Sequence, residues 1–295
     1  MEPLLKRLKN REIIISDGAI GSMILSRGLP AAACPESYNL THKEVLKSIA
    51  GEYLKAGAEI VQTNTFGGSP LKLIDYSLDD KTEEININAV EVVREAVSDK
   101  AYVSGSCGPS GKILKPYGDT TVEEMHDSFS RQMTALTGAG VDLICIETMT
   151  DINEASIAIR CAKEISPDIP VMATMTFDPT PRGFFTIMGT DIPAAAKLLK
   201  DAGADIIGSN CGNGIENMVK IAEKFKEETD QPVIIQSNAG LPELKNGKIF
   251  YSETPEFMAE KAAELAELDV AIIGGCCGTT PDHIRAIRYR IDSLN

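Results

Sequence analysis

The stretch Val270-Ala271-Ile272-Ile273-Gly274-Gly275-Cys276-Cys277-Gly278-Thr279-Thr280-Pro281 decides the fold. An apolar, β-branched run stops at two glycines, two thiols follow, and Thr-Pro opens a helical pattern. Strands buried on both faces read as such near-continuous apolar runs. Proline suits the first turn of a helix, where its missing N–H costs nothing. The same grammar stands upstream in Ile206-Ile207-Gly208-Ser209-Asn210-Cys211-Gly212. Working outward, eight runs of this kind recur, at 13–17, 59–64, 102–106, 143–147, 171–176, 206–210, 233–238 and 270–275.

Between the runs lie amphipathic stretches. Residues 43–55 place Val45, Leu46, Ile49 and Leu54 along one side, and 215–228 do the same with Met218, Ile221, Ala222 and Phe225. Residues 254–268 open with Thr254-Pro255 and a following Glu256, a helix start. Segments 55–58, 137–140, 201–204 and 266–269 each lead from a helix into the next strand, three of them through glycine, which accepts the left-handed turn past a helix. Strand and helix alternating eight times predicts a single (β/α)8 TIM barrel over 1–295, with a doubly wound open sheet as the alternative. Eight units in under 300 residues, with no linker or change of composition, favour closure. The proline-rich stretch 176–189 is the one irregular connection of note.

Composition narrows the function. Hydrophobic residues make up 43% and charged residues 24% of the 295, enough for a sizeable core. A net charge of −14 lacks the basic footprint of a nucleic-acid binder. No apolar run nears the ~20 residues that span a bilayer. Residues 1–17 do not read as a secretion signal, because the apolar stretch behind Lys6, Arg7 and Lys9 is only Ile13 to Ile15. Seven cysteines, an odd number without framework spacing, predict a reducing compartment and a cytoplasmic protein.

In a parallel barrel the working groups sit at the C-terminal ends of the strands. The polar residues there are Asp17, Asn64, Ser106, Glu147, Thr176, Asn210-Cys211, Asn238 and Cys276-Cys277. Adjacent thiols are poor disulfide partners, since bridging neighbours strains the link. With Cys211 they make a three-thiolate metal site with one open position, which selects zinc. A substrate thiol bound there would lose its proton and become a nucleophile at neutral pH. Asp17 and Glu147 can hold a substrate ammonium, and the backbone at Gly18, Ala19 and Gly21 a carboxylate. Of the other thiols, Cys34, Cys107, Cys145 and Cys161 read as buried structural cysteines, and Cys107, at a strand end, could alternatively line the pocket. His42, His126 and His283 fall in helical segments and read as surface or capping residues.

Six motifs carry a family resemblance: Asp17-Gly18-Ala19-Ile20-Gly21-Ser22-Met23, Gln62-Thr63-Asn64-Thr65-Phe66-Gly67, Cys107-Gly108-Pro109, Glu147-Thr148, Asn210-Cys211, and Gly274 through Ile284. In this order, over almost the whole chain, they resemble the homocysteine S-methyltransferase family, and within it most of all the homocysteine-binding barrel of cobalamin-dependent methionine synthase. The resemblance implies a zinc-bearing barrel that methylates homocysteine to methionine, with Cys211, Cys276 and Cys277 as zinc ligands. It implies Asp17 and Glu147 at the substrate amine, Gly18 and Ala19 at its carboxylate, Asn64 and Ser106 in the pocket, and Asn238 as a ligand oxygen when substrate is absent. The implied methyl donor is methylcobalamin on a partner protein or module. S-methylmethionine, S-adenosylmethionine and betaine are the alternatives, and a non-catalytic zinc- and thiol-binding module of a corrinoid assembly is another. Segment 178–186 departs from the family's usual wording. The chain carries no folate, cobalamin or activation module, so the reading is a standalone enzyme or one domain of a longer one.

Overall fold

A computed structural model describes residues 1–30, 33–245 and 248–294. Eight parallel strands make one sheet: β1 (Ile14–Ile15), β2 (Ile60–Gln62), β3 (Tyr102–Cys107), β4 (Leu143–Met149), β5 (Val171–Met175), β6 (Ile206–Asn210), β7 (Val233–Ser237) and β8 (Ile272–Gly275). Each strand pairs with its neighbours in sequence, and β1 also pairs with β8. A parallel bridge from Ser16 to Ile60 joins β1 to β2 and closes the barrel. The expected eight-fold alternation is therefore present, and closure wins over the open sheet.

A helix follows each strand: α1 (Lys43–Lys55), α2 (Thr82–Val97), α3 (Val122–Gly138), α4 (Ile152–Ile165), α5 (Ile192–Ala202), α6 (Ile215–Glu228), α7 (Pro255–Glu267) and α8 (Pro281–Asp292). Thr254 caps α7, its hydroxyl accepting from the Phe257 N–H. Gly57, Gly140 and Gly203 take positive φ where α1, α3 and α5 end. Asp269 does the same after α7 with φ 57°, so the device survives without glycine there. No helix among the described residues is long and apolar enough to cross a membrane.

Strand alternation sorts the side chains into two cores. Ile15, Val61, Val103, Ile144, Ile146, Ala173, Ile207, Ile235 and Ile273 face the helices. Ile14, Ile60, Tyr102, Leu143, Cys145, Met172, Ile206, Ile234 and Ile272 fill the bottom of the barrel. A short helix, Leu4–Lys9, plugs that end with Leu4 and Leu8, each burial contributing about 2 kcal/mol. Arg7 and Arg288 both pair with Glu59, at 2.6 and 3.0 Å, and tie the plug to β2 and α8. With the lower interior packed by apolar groups, the polar strand ends are left to the upper face.

Two antiparallel hairpins are inserted on that face. One, Asp178–Thr180 with Gly183–Phe185, accounts for the irregular proline-rich stretch. The other, Glu243–Lys245 with Lys248–Phe250, lies between β7 and α7, where sequence reading saw only a connection.

Candidate functional site: a three-sulfur centre facing two carboxyls

Cys276 follows the last residue of β8, and Cys211 the last of β6. With Cys277 they form a cluster whose sulfurs all lie within 4.8 Å of one another, the only such candidate metal group among the described residues. Cys211 Sγ and Cys277 Sγ stand 3.8 Å apart. Zinc–sulfur bonds of ~2.3 Å at tetrahedral angles require sulfurs about 3.8 Å apart, so the spacing fits the ion. Asn238 gives a second sign of fit. Its side chain reaches Cys211, and its Oδ1 is buried with no hydrogen-bond partner among the described residues. A buried orphan oxygen beside thiols suits a ligand better than a packing role. All seven cysteines are free.

Charge in the cluster is shared. Hydrogen bonds with both neighbouring thiols lower the Cys211 pKa. Cys276 and Cys277 are held above the usual thiol range first by their hydrogen bonds with Cys211, and burial adds to the rise. Cys211 itself adopts φ 59°, and Gly212 continues with φ 74°. This left-handed pair turns the sulfur back over the barrel mouth instead of letting the chain run on into α6.

Two carboxyls face the sulfurs. Glu147 points inward from β4, its Oε1 accepting from the Ser106 hydroxyl at 2.5 Å and its Oε2 from Asn210 Nδ2 at 3.3 Å. Burial pushes its pKa up to about 7, against the pull of Ser106, and the Cys211 charge adds to the rise. Asp17 is raised to about 8, first by burial and further by Glu147, while the Gln62 N–H pulls it down. Two buried acids held above the usual carboxylate range, one of them raised further by the other, are a natural receptor for a cation. Asp17 has a structural duty as well. Its Oδ2 accepts from Gln62 N–H at 2.8 Å across the β1–β2 seam.

The other expected site residues divide. Ser106 joins the centre through Glu147. Asn64 donates to Pro35 O at 2.8 Å and to Asn39 Oδ1 at 3.2 Å, so its side chain braces the segment that precedes α1. Gly18 packs so closely on Thr279 and Tyr53 that a Cβ would come within 2.6 Å of the Thr279 hydroxyl. The Ala19 N–H donates to that hydroxyl at 3.1 Å.

Cys107 takes the buried of its two readings. It sits one residue past Ser106, so strand parity turns it outward. It is fully buried, and its Sγ lies 3.2 Å from Gln132 Oε1 on α3 instead of lining the pocket. His283 is buried in a capping interaction with Thr280, as its helical position implied. One site residue escaped the sequence reading, and another was named there without a role. Tyr251, just beyond the second hairpin, hydrogen-bonds Cys277 and stacks on Gly278, where a Cβ would fall 2.2 Å from its ring. Asn210 lies in the centre of the site. Its inward parity on β6, one residue before Cys211, was the available signal.

Comparison with known proteins agrees with this geometry. A family model for homocysteine S-methyltransferase matches residues 14–291. The methionine synthase of Mycobacterium leprae is 32% identical over 311 residues, covering 99% of this chain and 25% of that protein. That of Mycobacterium tuberculosis is 31% identical, covering 97% and 25%. The chain thus spans about a quarter of the length of these relatives. Among solved structures, the metallated form of the homocysteine methyltransferase MmuM from Escherichia coli superposes with a TM-score of 0.80 at 22% identity, covering 98% of this chain and all of that one, a likeness of fold. With a barrel of this form, cysteines at the ends of β6 and β8, and a family match over residues 14–291, the chain belongs to the homocysteine S-methyltransferase family.

Proposed function

We propose that this barrel binds homocysteine at its upper face and methylates the sulfur to methionine, the methyl group coming from a methylcobalamin-bearing protein or module. The observation that carries the reading is the three-sulfur cluster beside two buried carboxyls, both raised by burial. Cys211, Cys276 and Cys277 would hold Zn²⁺, with Asn238 Oδ1 as a further oxygen donor. Zinc bound there would supply Lewis acidity that keeps the substrate sulfur as thiolate at neutral pH. Glu147 and Asp17 take the substrate ammonium, Ser106 orients Glu147, Asn64 holds the pocket wall, and the Gly18–Ala19 backbone takes the carboxylate, the Ala19 N–H turning to it from the Thr279 hydroxyl. The carbon–sulfur bond forms as the donor's bond to the methyl carbon breaks, its electron pair leaving with the donor. The relatives named methionine synthase support a corrinoid donor. We take residues 1–295 as the homocysteine-binding unit and, from seven free thiols, its setting as cytoplasmic.

The test is a donor panel with the purified, zinc-loaded chain and homocysteine. Turnover is expected with methylcobalamin, free or protein-bound, in preference to S-methylmethionine, S-adenosylmethionine or betaine. Zinc-edge absorption should gain a fourth sulfur when homocysteine is added. Methionine formed from none of the donors would overturn the enzymatic reading. Homocysteine binding without turnover would favour a non-catalytic zinc- and thiol-binding module.

The carboxyls also set a pH dependence. Methionine carries the same ammonium and carboxylate but no titrating thiol. Glu147 and Asp17, raised to about 7 and about 8, are largely protonated at pH 6 and offer the ammonium no charge. Methionine affinity should therefore rise with pH, by about tenfold between roughly pH 6 and pH 8 from Glu147 alone, and go on rising to about pH 9 as Asp17 ionises. Isothermal titration across this span checks it, and a flat profile would show that neither carboxyl binds the amine.

A further inference from the structure

Thr148 is backbone-strained in a way its residue type resists. It has φ 59°, a left-handed conformation that is an outlier for a β-branched side chain. It lies inside β4, where the register with β5 slips between Ile146 and Met149. Ile146 and Met149 both face the helix layer although they are three residues apart. One extra residue has thus been absorbed at 147–148, the mark of a bulge. This bulge lets Glu147 face the pocket while Met149 still reaches the outer core.

The groups that hold the bulge converge on one side chain. Asn210 is fully buried on β6. Its Oδ1 accepts from the Thr148 N–H at 2.7 Å and from the Thr174 hydroxyl at 2.8 Å. Its Nδ2 lies 2.8 Å from Thr148 Oγ1, 3.3 Å from Glu147 Oε2 and 3.8 Å from Cys276 Sγ. A single amide therefore clamps the strained residue, touches the carboxylate beside it and reaches a sulfur of the cluster.

We propose that Asn210 is a positioning residue that couples the two halves of the site, holding Thr148 left-handed so that Glu147 stays turned toward the sulfur cluster. The inference rests on the reading of Glu147 as the ammonium-binding group. Strain at Thr148 persists only because the Asn210 amide satisfies both its N–H and its hydroxyl. Replacing that amide frees Glu147 to rotate and removes a donor that favours its charged form.

The experiment uses the zinc-loaded full chain with Asn210→Ala, Asn210→Asp, Thr148→Gly and the Asn210→Ala/Thr148→Gly double variant. Zinc content, melting temperature, and homocysteine and methionine Kd are measured for each. Asn210→Ala should raise both Kd values about tenfold, the scale of a hydrogen bond to a charged group, and raise KM more than it lowers kcat. Asn210→Asp should weaken binding further, since it sets a second carboxylate against Glu147. Thr148→Gly should leave Kd within about twofold, because glycine accepts the left-handed backbone. In the double variant glycine takes the left-handed backbone unaided, so stability and Kd should both recover most of the way to the parent. All variants should keep zinc near one per chain. A lowered melting temperature with Kd unchanged in Asn210→Ala would reduce Asn210 to a structural role and overturn the proposal. So would loss of zinc in that variant. If Glu147→Gln itself leaves Kd unchanged, the reading of Glu147 fails instead, and the two failures are distinguishable. Should Asn210→Ala not fold, the Asp and double variants carry the same test.

Discussion

Replacing Cys211 or Cys276 by alanine is expected to strip zinc from the chain and abolish methyl transfer together. A thiolate-rich zinc site draws its affinity from every donor, at roughly 3 kcal/mol each when the binding energy of structural zinc is divided among its ligands. Loss of one thiolate should weaken zinc by at least about a hundredfold. Activity should fall about a thousandfold or more, because the substrate thiol then keeps its proton at neutral pH. The fold should tolerate the change. Both residues sit beyond their strands, and both are partly exposed. Metal release quantified on dialysed protein, with melting temperature as control, measures the effect. Zinc retained at one per chain in both variants would show the ligand assignment to be wrong. Cys107→Ala is the contrast. Cys107 is buried against Gln132 on the helix side, so its loss should lower stability and leave zinc in place.

The contrast among the cysteines shows what the sequence could carry. Strands β1 to β8 were legible because parallel strands buried on both faces leave continuous apolar runs, and the thiols at 211, 276 and 277 stood out by following such runs. Cys107 also follows one. Only counting parity from Tyr102, which points inward, would have turned it toward α3. The left-handed Thr148 left no trace, since threonine in Ile146-Glu147-Thr148-Met149 reads as ordinary strand. The role of Asn210 was hidden with it, because it depends on that bulge. The second hairpin was legible and missed: Asn246-Gly247 between Leu244 and Ile249 is a strong two-residue turn signal in the sequence. Tyr251 was missed with it, because its contact with Cys277 is set by where that hairpin returns.

Glu147→Gln should weaken homocysteine and methionine binding by about 10- to 100-fold while zinc stays at one per chain. Glutamine keeps the size and can still meet the Ser106 hydroxyl, but it removes the charge facing the ammonium. A charge-assisted hydrogen bond exchanged for a neutral one, in a buried setting, costs about 1.5–3 kcal/mol, which is this range. Loss of zinc in the variant would instead move Glu147 into the metal shell. Asp17→Asn tests the same cation pocket less cleanly. The Asp17 carboxyl also accepts from Gln62 across the seam that closes the barrel, so its replacement should lower melting temperature and affinity together. Isothermal titration of methionine beside thermal melting separates the two carboxyls. Glu147→Gln should move affinity alone. If instead Asp17→Asn loses stability but binds methionine as the parent does, then Asp17 is a seam residue and Glu147 alone carries the ammonium.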